Sequence, residues 1–221
     1  MDIDTLNGLI NCPLFQGIHR DAIVDLMHSV RYRVMRYGKG EIFAIEGDVC
    51  LHIDIVVQGE MVAKVVSPSG RVMRMNLHHS GNMLAPAFLY ATHNIYPVTV
   101  EATRESFILR LMPEDLEALF RVEPRLYMNF IKVLSNIVSF LTKRVCMLSM
   151  SVRERVCFFL FEEMQRQGTT DVVLTQSRQQ IADSFGVQKF SLQRCMNELK
   201  QEGIIDYTGK NVRIIKPDNL T

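Results

Sequence analysis

The sequence lacks any run of about eighteen apolar residues, so no bilayer-spanning helix is expected. Net charge is also scarce: the 221 residues sum to only +1. That balance neither supports nor excludes nucleic acid, because DNA binding needs a local basic face rather than a basic total. The opening MDIDTLNGLI has no basic segment followed by an apolar core, so no secretory signal is expected and the cytoplasm is the expected compartment. The five cysteines, Cys12, Cys50, Cys146, Cys157 and Cys195, form no C-x-x-C and read as free thiols. Only His78 and His79 lie close enough in sequence to suggest zinc. Neighbours on a strand point to opposite faces, so no metal site is expected. No Ser/His/Asp or Cys/His set is evident, and Glu41, Glu46, Asp48, Glu60 and Glu101 read as turn and surface residues, so no enzyme is expected. Finally, Gly81 to Val100 carries no full charge unless His93 is protonated.

What is present divides into three segments. About half of the residues are apolar (48%), enough for a substantial core. Residues 1–112 contain a short helix over CPLFQGIHRDAIVDLMHSV and then strand-length runs between recurring glycines. VRYRVMRY, EIFAI, IDIVV, EMVAKVV, RVMRMNL and FILRL are separated by Gly38, Gly40, Gly47, Gly59, Gly70 and Gly81. This pattern predicts a closed β-roll of the jelly-roll type. Residues 113–150 form the second segment: Pro113 and Pro124 each stand where a helix can begin, and no glycine or proline interrupts 125–150. Phe130, Leu134, Ile137, Leu141 and Leu148, with Arg144 in the one polar slot, read as a heptad seam on a helix about 35–40 Å long. A seam of that length predicts dimerisation rather than docking on a small roll.

Residues 151–221 form the third segment. SVRERVCFFLFEEMQRQG is an amphipathic helix ended by Gly168, and DVVLT is a short strand. Then follows SRQQIADSFGVQKFSLQRCMNELKQEGII. Ser177 and Gln180 make a capping box, Gly186 turns the chain, and Ile181, Phe185, Val187, Leu192 and Cys195 face inward. IIDYTGKNVRIIKP reads as a wing. The combination predicts a winged helix-turn-helix on double-stranded DNA, ahead of a helical hairpin used for protein contacts. On the second helix, Gln188, Lys189, Phe190, Ser191 and Arg194 are the candidate base-reading residues. Ser177, Arg178 and Gln179 at the preceding helix start, with Lys210 in the wing, are the candidate phosphate contacts.

This order of α+β parts (β-roll, long dimerisation helix, winged helix-turn-helix) resembles the CRP/FNR family of bacterial transcription regulators. YGKGEIFAIEGD, VVQGEMVAKV, the Gly81 segment and the helix-turn-helix carry the resemblance. It implies a homodimer on a palindromic operator and contact with RNA polymerase, with no membrane role. Family members read DNA through an arginine, a glutamate and a second arginine; these fall on Lys189, Phe190 and Arg194, and only Arg194 is retained. Cyclic-AMP-binding members use a glutamate and an arginine where this chain has Pro86 and Tyr96, which argues against cyclic AMP. An iron–sulfur cluster wants four thiolates, and only Cys12 lies near the N-terminus. The uncharged segment, with Met83, Leu84, Pro86, Phe88, His93 and Tyr96, resembles that of members associated with nitrosative or redox stress. The resemblance therefore suggests a sensor of haem, a diatomic gas or redox state. Haem is one candidate ligand, with His93, His78, His79 or Met83 as its axial residue. A haem- or redox-linked binding protein and an interaction module without DNA binding are the alternatives.

Overall fold

A computed structural model describes residues 1–66 and 72–220; the side chains of residues 66, 72–75, 144 and 148 lie outside what is described. The chain divides into two compact units, Met1–Ser139 and Phe140–Thr221.

In the first unit, α1 (Ile3–Ile10) and α2 (Arg20–His28) precede eight strands: β1 (Tyr32–Tyr37), β2 (Ile42–Ala44), β3 (Ile53–Gln58), β4 (Glu60–Val66), β5 (Val72–His79), β6 (Met83–Leu84), β7 (Thr99–Ala102) and β8 (Ser106–Leu111). They form two four-stranded antiparallel sheets, ordered β1-β8-β3-β6 and β2-β7-β4-β5. The two-residue alternation of strands sorts the core into layers. Ile53, Ile55, Leu109 and Leu111 pack with Leu9, Phe15, Ile23 and Met27 outside the roll, while Val56 and Ile108 join Met61, Leu84, Val100 and Ala102. α1 lies very close to β3 because Gly8 has no side chain. A Cβ there would fall 2.5 Å from the Val57 backbone.

α3 (Pro113–Val122) and α4 (Pro124–Leu148) follow. The first turns of α4 belong to the roll's own core: Leu126 is buried, and the Asn129 amide donates to the Leu14 and Gln16 carbonyls, each at 2.9 Å. Phe130 is only 4% exposed and packs on Phe120 and Tyr90. The heptad reading placed Phe130 in a dimer seam, whereas here it packs in the roll's own core. The apolar side chains exposed on α4 include Tyr127, Met128 and Phe140 as well as Ile131, Val138, Leu141 and Val145, and the last four follow a register one residue later at every other seam position. Leu134 is half-buried and the Ile137 side chain is partly covered; the Arg144 and Leu148 side chains lie outside the described residues.

In the second unit, α5 (Val152–Gln167) begins with a Ser151–Glu154 capping box and ends at left-handed Gly168. β9 (Asp171–Val173) leads into α6 (Arg178–Phe185) and α7 (Lys189–Gln201), followed by β10 (Ile205–Thr208) and β11 (Asn211–Ile214). The wing has three strands rather than two, ordered β10-β11-β9, since DVV pairs with β11. Val156, Leu160, Ile181, Phe185, Leu192, Met196, Leu199 and Val212 share one core. Among the described residues, no helix is long and apolar enough to cross a membrane.

Gly8→Ala is expected to lower the unfolding free energy by about 1–3 kcal/mol through overpacking against β3. Gly40→Ala, which meets only open space at φ +85, should lose about 1 kcal/mol from backbone strain alone. Urea denaturation of both variants checks the difference; equal losses would contradict the close approach of α1.

Candidate nucleic-acid interface and roll interior

The turn between α6 and α7 is built from local chemistry. The Ser177 hydroxyl accepts from the Gln180 amide, and the Gln180 side chain accepts from the Ser177 amide, closing the capping box. Gly186 ends α6 at φ 67, a conformation that costs glycine little. The Arg155 guanidinium donates to the Phe185 carbonyl at 2.5 Å and to the Met150 carbonyl at 3.0 Å. A cation at the end of α6 also suits the negative pole of that helix.

α7 buries Leu192, Cys195, Met196 and Leu199 and turns the opposite face to solvent. Of the candidate base readers, Gln188, Lys189, Phe190 and Arg194 are exposed, and Ser191 is half-buried at the start of the helix. Phe190 is 76% exposed, so it is not wing packing. Arg194 reaches back to Glu198 at 2.9 Å. A surface pair of this kind is weak, so the guanidinium can exchange it for a stronger partner at little cost.

The candidate phosphate contacts are placed differently from one another. Ser177 is committed to its cap, and Gln179 donates to Asp183 at 2.7 Å. Arg178 stacks over the Tyr207 ring at 5.1 Å and donates to the Gly209 carbonyl at 3.2 Å, so it braces the wing. Burial lowers its pKa. Lys210 is exposed and donates to the Thr175 carbonyl at 2.9 Å. Sequence reasoning missed Gln193, Asn197 and Tyr207. The Gln193 amide donates to the Tyr207 hydroxyl at 2.6 Å and to Asn197 Oδ1 at 3.3 Å, and the Tyr207 hydroxyl donates to Asn197 Oδ1. The signal was available: Phe190, Gln193, Arg194 and Asn197 recur at i, i+3, i+4 and i+7, opposite the buried stripe.

Inside the roll, Asp54 has no exposed surface. It lies directly across from Arg110 in the β3–β8 register. Two guanidinium bonds, 2.7 and 3.1 Å, hold its carboxylate. Tyr96, also buried, donates to the same carboxylate at 3.3 Å. Burial, then the Asp54 charge, push the Tyr96 phenol far above its ordinary value, so the hydroxyl remains a donor. Tyr96 packs with Ala44 and Cys50, and Phe43, Ala85 and Phe88 lie against them. Leu84 and Pro86 are buried, and Met83 is buried in the core shared with α1 and α2. His93 is exposed. Glu101, expected at the surface, instead sits on β7 and pairs with Lys64 at 2.6 Å, both mostly covered.

A Crp-like helix-turn-helix domain model matches residues 154–221, and a cyclic nucleotide-binding domain model matches residues 34–123. The probable transcriptional regulator flp of Lacticaseibacillus casei is 22% identical over 214 residues, 94% of each chain. The transcriptional activator protein FnrA of Stutzerimonas stutzeri is 22% identical over 198 residues, 87% of this chain and 80% of its own. In fold, the Thermus thermophilus catabolite activator protein superposes with a TM-score of 0.55 at 20% identity, covering 94% of this chain and 96% of its own. The chain belongs to the CRP/FNR family. It is a transcription regulator with a DNA-binding helix-turn-helix.

For a CRP/FNR regulator, the roll is the place to look for an effector. The residues here do not suit a cyclic nucleotide held by charge, since Tyr96 turns to Asp54 and Pro86 offers no carboxylate. Of the candidate haem residues, Met83 is buried in the core, His79 faces Glu60 at 3.2 Å, and His78 stands on β5 with its pKa pulled down by burial and then by His79, which favours the neutral imidazole. Cys12 is buried, which pushes its thiol up to about 12. Among the described residues, no group of three or more His, Cys, Asp and Glu is arranged to hold a metal ion.

Arg110→Met leaves the Asp54 carboxylate buried without its cation and should destabilise the roll by about 3–5 kcal/mol. Adding Asp54→Leu should recover most of that loss. Chemical denaturation of the single and double variants tests this; additive losses would mean that the two residues act independently.

Proposed function

We propose that the chain acts as a homodimer that sets two α7 helices into successive major grooves of a palindromic operator. The observation that carries this reading is the exposed face of α7, with Lys189, Phe190 and Arg194 standing opposite a fully buried stripe. Arg194 reads guanine, Lys189 contacts a base or phosphate beside it, and Phe190 packs on a thymine methyl. Gln188 and Ser191 flank them, and the amide groups around Ser177 and Gln179 with the Lys210 ammonium meet phosphates. Phe190 in place of the family glutamate removes a cytosine acceptor, so the half-site departs from the common one.

The dimer reading rests on α4. Ile131, Val138 and Val145 stand seven apart and exposed, alternating with Leu134, Leu141 and Leu148. β-branched residues at the first core position and leucine at the other favour a parallel two-stranded coil. This register also removes Arg144 from the seam. The sensor reading rests on the roll, where Pro86 and Tyr96 stand at the positions that the resemblance assigns to the family charges and where Tyr96 and Arg110 both bond to Asp54. Its effector is therefore one that needs no cationic clamp, and it acts by favouring one of two dimer arrangements. RNA polymerase is the expected partner of the DNA-bound form.

Val138→Glu is expected to weaken dimerisation at least tenfold by facing like charges across the seam, read by sedimentation at several concentrations; unchanged association would refute the register. Arg194→Ala should abolish preference for the operator while leaving salt-dependent binding to unrelated DNA, and Lys210→Ala should weaken binding to all sequences alike. Gel-shift titrations at two salt concentrations separate these outcomes. A visible absorption titration with haem on the native chain and on His93→Ala tests one effector class. A saturable Soret band shifted in the variant assigns haem to His93, and a band no stronger than that of an unrelated protein excludes it.

A further inference from the structure

The wing tyrosine fixes the chemistry that α7 shows to DNA. Tyr207 lies between two cations, with the Arg178 guanidinium 5.1 Å and the Lys200 ammonium 5.3 Å from its ring centre. Its ring is thereby held between α6 and the far end of α7. The hydroxyl has one proton, which goes to Asn197 Oδ1, and it accepts from Gln193 Nε2 at 2.6 Å. The second Gln193 amide proton also goes to Asn197 Oδ1, at 3.3 Å. A side-chain amide carries two donors on nitrogen and two lone pairs on oxygen. Both donors of Gln193 are therefore engaged within the protein, and so is the Asn197 oxygen. Among the described residues, no hydrogen bond engages Gln193 Oε1 or Asn197 Nδ2.

We propose that Tyr207 is a positioning residue that sets the base preference of α7, by presenting Gln193 as an acceptor and Asn197 as a donor. Unconstrained, a glutamine amide can rotate to offer either end. Held by Tyr207, Gln193 offers its oxygen to a base amino group, the N4 of cytosine or the N6 of adenine. Asn197 offers its NH₂ to an acceptor such as guanine O6 or a phosphate oxygen. This inference rests on the reading of α7 as the helix in the major groove, and it goes further by assigning polarity to two residues of that helix.

The test is selection from a duplex pool with randomised half-sites, carried out on the full chain and on Gln193→Ala, Tyr207→Phe and Gln193→Glu. Gln193→Ala locates the base pair that this side chain reads. The native chain is expected to prefer cytosine or adenine there by about tenfold, the discrimination typical of a good base contact. Tyr207→Phe keeps the ring between Arg178 and Lys200 but loses the hydroxyl. It should flatten the preference at that position and at any base that Asn197 contacts, and leave the remaining positions and the salt dependence unchanged. A general loss of order in the wing would instead weaken every position alike. Gln193→Glu, which has only acceptors, should keep the base choice even as overall affinity falls. An unaltered profile for Tyr207→Phe, or loss of the base choice in Gln193→Glu, overturns the proposal. A native chain with no sequence preference overturns the reading of α7 beneath it.

Discussion

A carboxylate with no access to water constrains the whole roll. Asp54 sits mid-strand on β3, where every neighbour from Ile53 to Val57 is also buried. Leaving such a charge alone would cost several kcal/mol, so the strand register must bring Arg110 opposite it. A slip of one residue between β3 and β8 would put Asp54 and Arg110 on opposite faces of the sheet and leave the buried carboxylate without its cation. The ion pair thus specifies register. It also fills the interior, because Tyr96 completes the carboxylate's hydrogen bonding at the position that the family resemblance assigns to a phosphate-binding arginine. An arginine there would compete with Arg110 for Asp54; a tyrosine adds a neutral donor and apolar bulk.

The same economy of partners appears in the DNA-binding unit. Arg155 ties the start of α5 to the end of α6, Arg153 pairs with Glu202 beyond α7, and Arg178 stacks on Tyr207. Three cations that a charge count would assign to DNA thus already have partners within the protein. The side chains left to meet the groove are fewer than the sequence suggests, and two of them are uncharged amides. This fits a chain whose net charge is only +1. Its affinity would come from a short, well-placed set of contacts rather than a broad basic surface.

The helix-turn-helix was legible because its signals are local: Ser177 with Gln180, Gly186, and the spacing of buried residues all lie within about twenty positions. Most strands of the roll were legible for the same reason; β7 lay outside the strand-length runs, and the two residues of β6 carry no periodic pattern. Asp54 was missed because an isolated acid in IDIVV suggests an outward position, and only pairing with the equally isolated Arg110 of FILRL reverses that reading. The seam shows the opposite limitation. Phe130 fits a heptad in sequence, but a helix can present one apolar stripe to its own roll and another to a partner. Burial alone separates Phe130 from Ile131. The packing of Arg178 on a wing tyrosine about thirty positions away leaves no trace in the sequence.

The central claim is that two copies of α7 read inverted half-sites. Hydroxyl-radical footprinting of the native chain on its best selected duplex tests this most directly. The account predicts two protected patches on one face of the duplex, related by a two-fold axis and centred about 34 Å apart. A single protected patch, or protection without inverted symmetry, would contradict it.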